Sequence, residues 1–332
     1  MKLNLAIVLL IVMNFPALRS QEVMQRRTLK LMGSRFDITL VADDSISANA
    51  YIDEAIIEIQ RIERLISSWD PASQTSAINN NAGIRPVKVA KELYDLINRA
   101  NHISKLTNGA FDISYASIDK VWHFDGSMLK KPTAAAIAES VTKIGYANII
   151  LDPKDQTAFL KVKGMKIGFG SIGKGYAADK VREMLIGKGV RSGIINASGD
   201  LTTWGKQPDG KDWLVGITSP LNKEKIFAWF PVINAAVATS GNYEKFVEFD
   251  GVKYSHIIDP RTGYPATGLK SVTIFAKSAE LCDALATSVF VTGLDTGIDF
   301  INQIKDVECI IIDEEDKIHT SNNIKLDQFK QL

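Results

Sequence analysis

The chain has 332 residues, of which 45% are hydrophobic and 23% charged, and its formal net charge is +1. This composition is average for a soluble globular protein, which excludes wholesale disorder, collagen-like repeats and a multi-span membrane protein. The length favours one large domain or two closely packed subdomains. Because the charge is nearly balanced and no Lys/Arg stripe alternates with aromatic residues, we expect no nucleic-acid partner.

The first 20 residues predict a secretory signal peptide. Lys2 precedes an apolar run over residues 3–13, and Pro16 and Ser20 follow it. The run is too short to cross a bilayer comfortably, so we expect cleavage near Ser20 and export of a mature domain over residues 21–332. An uncleaved N-terminal anchor is the alternative. The two cysteines, Cys282 and Cys309, are too few for a disulfide scaffold.

The first third of the chain predicts strands followed by helices. Residues 28–41 alternate apolar and polar side chains around Met32-Gly33-Ser34, which predicts two strands or one strand bent at the glycine. Residues 47–67 and 91–107 have the apolar period of amphipathic helices. Residues 67–83 between them are rich in hydroxyl and amide groups and have no core period, so we expect a loop.

The middle of the chain contains aromatic and apolar segments. Trp122-His123-Phe124 predicts either a stacking wall for a planar ligand or, more commonly, a local aromatic cluster under a loop. Residues 132–144 have a helical pattern. Residues 149–151 and 158–162 predict short strands joined by a turn at Asp152-Pro153.

Residues 167–181 form a glycine-rich stretch that predicts a turn from a strand into a helix. Glycines allow close backbone approach, a helix N-terminus favours phosphate, and Lys174 adds a positive charge. The spacing matches neither the Walker nor the dinucleotide-binding pattern, so a tight structural turn is the alternative.

Four segments with strand character follow. Residues 193–201 predict a buried strand that ends in small and polar residues, and residues 213–218 and 226–232 are expected to extend the same sheet. Residues 235–239 predict another strand, which opens into Ser240-Gly241-Asn242-Tyr243.

Residues 252–263 combine strand and turn chemistry with reactive side chains. Residues 252–258 are apolar and β-branched enough for a strand, and Asp259 to Gly263 are typical of a turn. His256 is suited to proton transfer near neutral pH, and Asp259 could orient it or hold a cation. A hairpin with an exposed histidine and a turn-capping aspartate is the alternative.

Residues 271–276 predict a strand, and residues 279–291 predict a helix in which Asp283 and Thr287 lie four residues apart and therefore on one face. A carboxylate and a hydroxyl suit Mg²⁺, with phosphate oxygens and water as further ligands. Alternatively, Asp283 simply favours the helix dipole. The alternation of helices and strands predicts an α+β fold with mixed or antiparallel sheets.

Several stretches together resemble the ApbE family of flavin transferases. The most specific is His-Ile-Ile-Asp-Pro-Arg-Thr-Gly at residues 256–263, and Asp-Ala-Leu-Ala-Thr at 283–287 accompanies it. Met32-Gly33-Ser34, Gly109-Ala110-Phe111-Asp112, residues 170–179 and Thr239-Ser240-Gly241 complete the resemblance, which spans nearly the whole mature chain. It implies two interleaved subdomains with FAD between them.

The resemblance also implies an activity. A Mg²⁺-dependent FAD:protein FMN transferase cleaves the FAD pyrophosphate, releases AMP and joins FMN through a phosphoester to a Thr or Ser of an acceptor redox protein. We expect a periplasmic enzyme, or one on the periplasmic face of the inner membrane, with a membrane-associated acceptor. A Mg²⁺-dependent FAD pyrophosphatase and a flavin carrier without turnover are the alternatives.

On this resemblance we assign a role to each candidate residue. Mg²⁺ is expected on Asp283, Thr287 and a backbone carbonyl near Ser171. His256 is expected to act as the base, with Asp259 orienting it or joining the metal ligands, and Lys174 is expected to hold phosphate. The residues expected to contact the adenosine and flavin portions are Met32, Phe111, Asp112, Thr239, Ser240 and Tyr243.

The chain departs from the family pattern at three places. It has Gly168-Phe169-Gly170-Ser171 where the family often has Asp-Leu-Gly-Gly, so the family's aspartate is replaced by Gly168. Ser198-Gly199-Asp200 replaces Gly-Gly-Asp. Cys282 replaces the usual alanine before Asp283, a small change that should leave the site intact.

Overall fold

A computed structural model of the chain describes residues 22–118, 120–219, 222–242, 246–325 and 330–331. The expected signal peptide and Tyr243 lie outside the described residues. Within the described ranges, no helix is both long enough and apolar enough to cross a membrane.

The described residues form strands, α-helices and two short 3-10 helices. In chain order the strands are β1 (Val23–Leu31), β2 (Ser34–Ala42), β3 (Val87–Lys88), β4 (Ile149–Asp152), β5 (Thr157–Leu160), β6 (Ser192–Ala197), β7 (Asp200–Trp204), β8 (Leu214–Ser219), β9 (Asn222–Pro231), β10 (Ala236–Gly241), β11 (Phe246–Phe249), β12 (Val252–Ser255), β13 (Leu269–Ala276), β14 (Glu308–Asp313), β15 (Ile318–Thr320) and β16 (Lys330–Gln331). The α-helices are α1 (Ser45–Ile66), α2 (Gln74–Asn80), α3 (Lys91–Leu106), α4 (Ala134–Ser140), α5 (Gly173–Gly187), α6 (Ala279–Thr292) and α7 (Leu294–Asn302), and the 3-10 helices are Ile113–Ser117 and Tyr146–Asn148.

An eight-stranded sheet organises the molecule, with the order β1-β2-β6-β7-β10-β13-β14-β15. Every neighbouring pair in it is antiparallel. The α+β prediction is therefore confirmed, with antiparallel pairing throughout this sheet. The strands alternate with helices along the chain, but the strand pairs among the described residues are all antiparallel.

Two large apolar cores lie on either side of the long helices. The first core joins the eight-stranded sheet to α1, α5 and α6. The second joins the C-terminal part of α1 to α3 and the small sheet of β3, β5 and β4. In α1, Ile59 belongs to the first core and Ile62 to the second. In α5, Val181 belongs to the first core and Tyr176 to the second. The two halves are thus interleaved through shared helices.

The structure corrects three details of the predicted elements. Residues 67–83 contain the helix α2, which begins where the Ser73 hydroxyl accepts the Ser76 N–H at 2.9 Å; seven residues are too few to show a clear apolar period. The strands β8 and β9 pair with β16 in a separate sheet and do not extend the main one. The buried segment 193–201 is a hairpin of β6 and β7, because Ser198 and Gly199 reverse the chain with positive φ.

Candidate active site

A cleft of about 1020 Å³ opens where the apolar clusters of the protein meet. Ile257 of its wall packs in the first core, Phe111 in the second, and Ile258 in a small third cluster with Trp122. The cleft brings together ten of the residues singled out from the sequence, namely Met32, Phe111, Asp112, Ser171, Lys174, Thr239, Ser240, His256, Asp283 and Thr287. Asp259 does not line it.

The glycine-rich turn places the start of α5 directly against the start of α6. A Cβ atom on Gly175 would lie 2.1 Å from the carbonyl oxygen of Ala279, so any side chain there would force the helices apart. The Gly175 N–H donates to Oδ2 of Asp283 at 3.3 Å. This glycine therefore allows α5 and α6 to pack closely, and its N–H orients the Asp283 carboxylate of α6. The expected helix is confirmed, although no strand precedes the turn.

Three charged side chains meet at this end of the cleft. The Lys174 ammonium pairs with Oδ2 of Asp200 and lies 3.9 Å from Oδ2 of Asp283. Only 4% of the Asp200 side chain and 7% of the Asp283 side chain are exposed, so water screens the cluster weakly. Burial raises the pKa of Asp283, against the opposing effects of the Lys174 charge, the Gly175 amide and a hydrogen bond with Asp200. The result is a desolvated cluster of two carboxyl groups and one ammonium.

Oxygen donors line the cleft beside this cluster. Asp283 and Thr287 lie one turn apart on α6, and the Thr287 hydroxyl is 3.4 Å from that of Ser240. Ser171 belongs to the same wall. Within the described ranges, no three His, Cys, Asp or Glu residues group as a metal site. A carboxylate with hydroxyl and carbonyl oxygens nevertheless fits Mg²⁺, which takes few protein ligands and completes its shell with phosphate and water.

His256 follows β12 and also lines the cleft, where it is partly buried. Trp122 stabilises the turn at residues 259–263. Its Nε1 donates to the carbonyl of Gly263 at 2.9 Å, and its ring stacks on that of Tyr254. Gly263 has φ +77°, and a Cβ there would come within 2.9 Å of Val141. Trp122 thus belongs to a local aromatic cluster, here called the third cluster, and does not line the cleft.

Asp259 stabilises the turn after His256. Its Oδ1 accepts the backbone N–H of Arg261 at 2.9 Å and Nε at 2.8 Å, while Oδ2 accepts the Arg261 terminal nitrogen at 2.9 Å. Its backbone carbonyl accepts the Gly263 N–H at 2.8 Å. These contacts are those of a turn-capping residue. A contact with substrate or cation stays a prediction for Asp259.

Two of the expected flavin or adenosine contacts already have structural partners. Oδ1 of Asp112 accepts the backbone N–H and hydroxyl of Ser114, and Oδ2 accepts the Tyr146 N–H at 2.7 Å. Burial is the main cause that raises the pKa of Asp112. The Thr239 hydroxyl lies 2.9 Å from that of Thr273. These bonds fix the cleft wall, and the binding roles of both residues stay predictions.

Asp200 and Trp69 are among the cleft residues to which sequence reasoning gave no role. Asp200 begins β7, in which every residue is buried, and a buried charge requires a partner. Trp69 lines the cleft although 82% of it is exposed, and the Lys120 ammonium lies 5.5 Å from its ring centroid. A large aromatic residue inside the polar run 67–83 was the only sequence signal for it.

Comparisons with known proteins agree on one family. The model of the ApbE family matches residues 32–311. The FAD:protein FMN transferase of Treponema pallidum is 31% identical over 83% of this chain and 80% of its own length, and one from Klebsiella pneumoniae is 31% identical over 89% and 91%. The crystal structure of an ApbE protein from Thermotoga maritima superposes with a TM-score of 0.82 at 31% identity, over 92% of this chain and 99% of that one.

Proposed function

This chain belongs to the ApbE family of flavin-transferring enzymes, and from that membership we propose that it moves FMN from FAD to a Thr or Ser hydroxyl of an acceptor protein. The proposed reaction depends on Mg²⁺, forms a phosphoester and releases AMP. The observation that carries the proposal is that the same cleft is lined by residues with oxygen ligands for a hard cation and by an imidazole. Phosphoryl transfer needs both kinds of group.

Asp283, Thr287 and a backbone carbonyl near Ser171 would hold the cation, and what supports this is that all three residues line the cleft and that Asp283 and Thr287 lie one turn apart on α6. A bound Mg²⁺ supplies positive charge that lowers the energy of a pyrophosphate under attack. Asp283 is buried, so water only weakly screens the attraction between its ionised carboxylate and a bound cation.

His256 is proposed to take the proton from the acceptor hydroxyl. The hydroxyl oxygen then bonds to the phosphorus on the flavin side, the bond from that phosphorus to the bridging oxygen breaks, and AMP leaves with that oxygen. The fixed turn behind His256 limits the positions of the ring, because Trp122 and the Asp259–Arg261 pair hold its backbone. A positioned base of this kind contributes about 10²- to 10⁴-fold to a rate.

We also propose that the enzyme acts after export, in the periplasm or at the periplasmic face of the inner membrane, on a membrane-associated redox subunit. The basic and apolar pattern of the first 13 residues supports export. Fractionation of cells producing the full chain with a C-terminal tag tests this, since recovery only from the cytoplasm would contradict it.

The activity is tested by incubating the protein with FAD, Mg²⁺ and a candidate acceptor subunit. A denaturing gel then reports covalent flavin fluorescence on the acceptor, and a coupled assay reports AMP. A fluorescent band together with AMP, both lost with EDTA, is the expected result. AMP without a band would favour the pyrophosphatase, and bound FAD with neither product would favour a flavin carrier.

A further inference from the structure

Lys174 is shared unequally between two carboxyl groups. Its ammonium forms a close ion pair with Asp200, whereas its distance to Asp283 is 3.9 Å. The three side chains come from α5, β7 and α6, and the lysine side chain is only 25% exposed. Their arrangement is therefore set by three separately anchored elements.

The charges of this cluster determine what else it can bind. With both acids ionised and the lysine protonated, the net charge of the three side chains is −1. Close pairing with Asp200 directs the lysine charge mainly to that residue, which leaves the negative charge chiefly on Asp283. Buried charges interact strongly at these distances, so moving the ammonium from one carboxylate to the other would change the affinity of Asp283 for a cation substantially.

We propose that Asp200 is a positioning residue that holds the Lys174 ammonium away from Asp283 and so keeps the Asp283 carboxylate available to a divalent cation. This inference rests on the proposed function, in which Asp283 is a cation ligand. Without Asp200, the ammonium still lies within ion-pair reach of Asp283, 3.9 Å from its Oδ2, and pairs with it more closely. The lysine then occupies the cation's place.

A direct ligand role for Asp200 makes a different prediction, and one pair of variants separates the two. In Asp200→Asn, the charges of Asp283 and Lys174 cancel and the net charge of the cluster is zero. Adding Lys174→Met removes the positive charge and returns the net charge to −1. If Asp200 acts through the lysine, the second substitution restores cation binding. If Asp200 binds the cation itself, its loss persists whatever residue stands at position 174.

The experiment measures the affinity of the full chain for Mn²⁺ alone by isothermal titration calorimetry. Variants are Lys174→Met, Asp200→Asn, the double variant and Asp283→Ala, with circular dichroism to verify folding. We expect Asp200→Asn to bind Mn²⁺ at least about tenfold more weakly than the wild type. The double variant should return to within about threefold of the wild type, and Lys174→Met should bind more tightly than either.

Each outcome bears on a definite claim. A double variant as weak as Asp200→Asn would overturn the positioning role in favour of direct ligation. Weaker Mn²⁺ binding by Lys174→Met than by the wild type would also overturn the positioning role. This comparison remains valid even if the Asp200 variant fails to fold. Wild-type affinity in Asp283→Ala would contradict the cation site of the proposed function. Loss of binding in that variant, with the wrong order among the others, would contradict only the present inference.

Discussion

Two parts of the cleft lining, here named the carboxylate end and the histidine end, are built in different ways. At the carboxylate end, defined by Lys174, Asp200, Asp283 and Thr287, charged groups are buried and held by two long helices and the main sheet. At the histidine end, defined by residues 256–263, the backbone rests on the third cluster and adjoins the small sheet of β11 and β12, which is separate from the eight-stranded sheet.

This difference suits two parts of a transfer reaction. Charge on a pyrophosphate is stabilised best by groups that are fixed and desolvated before the substrate arrives. A hydroxyl on a second protein must instead reach the site from solvent, which requires an accessible side. The contrast indicates that variants at the carboxylate end will impair cation binding and chemistry together, whereas variants at the histidine end will impair transfer alone.

The largest effect is expected for Asp283→Asn. The substitution keeps the shape of the side chain but removes the ligand charge, so both AMP release and flavin transfer should fall by at least about 10³-fold. Steady-state assays of both products measure this. Asp295→Asn, an exposed position on α7, is the matched control and should behave as the wild type. Near-normal activity of Asp283→Asn would contradict the assignment of this end to the cation.

His256→Gln should lower transfer by about 10²-fold or more, because a base is lost, while Mn²⁺ affinity stays unchanged. Acceptor fluorescence after gel separation and calorimetry measure the two quantities. His102→Gln on the exposed face of α3 is the control. A wild-type transfer rate in His256→Gln would show that the assigned role is wrong, and loss of cation binding would break the distinction between the two ends.

Gly175→Ala tests how tightly the carboxylate end is packed. The added methyl group meets the Ala279 carbonyl, so we expect a loss of about 1–3 kcal/mol in unfolding free energy, together with weaker Mn²⁺ binding. Gly187→Ala lies in the same helix with nothing within 4 Å of the new atom, and should not destabilise the protein. Urea denaturation of both variants gives the comparison, and equal stabilities would contradict it.

Trp122→Phe tests the support of the histidine end. It removes the donor to the Gly263 carbonyl, which should cost about 1 kcal/mol and lower the transfer rate without changing Mn²⁺ affinity. Trp213→Phe also removes a buried indole donor, to the Trp204 carbonyl, away from the cleft. We expect a similar stability loss there with normal transfer. If both variants transferred normally, the turn would not depend on Trp122.

The smallest effect is expected at Glu92, which does not line the cleft, accepts hydrogen bonds from Arg61 and Tyr176 and gives a reference for ordinary ion pairs. A hydrogen bond from Arg61 is the main cause that lowers its pKa below 4.5. A lowered pKa stabilises the fold above pH 4.5, and this contribution disappears as the pH falls through the lower native value. Glu92→Gln should therefore reduce the melting temperature slightly at pH 7 and less at pH 3, and an equal reduction at both would contradict the ionic origin.

Local pattern predicted much of the fold. Helices α1, α3 and α6 are predicted because each contains several repeats of the helical apolar pattern. The hairpin of β1 and β2 is predicted by the alternation of apolar and polar residues on both sides of Met32-Gly33. The short helix α2 and the separate sheet of β8, β9 and β16 did not follow, because seven residues show little periodicity and strand propensity does not reveal which strands pair.

For the candidate site, the sequence by itself determined the chemical types and the family resemblance. Asp283 and Thr287 share a face because they are one helical turn apart, and His256 and Asp259 stand out as reactive groups in one motif. Only the tertiary structure decided how these groups are used. It turned Asp259 toward Arg261, brought Lys174 to Asp200 and set both beside Asp283. The reason is that contacts between residues 26 or 109 positions apart depend on strand order and helix packing, which no local pattern encodes.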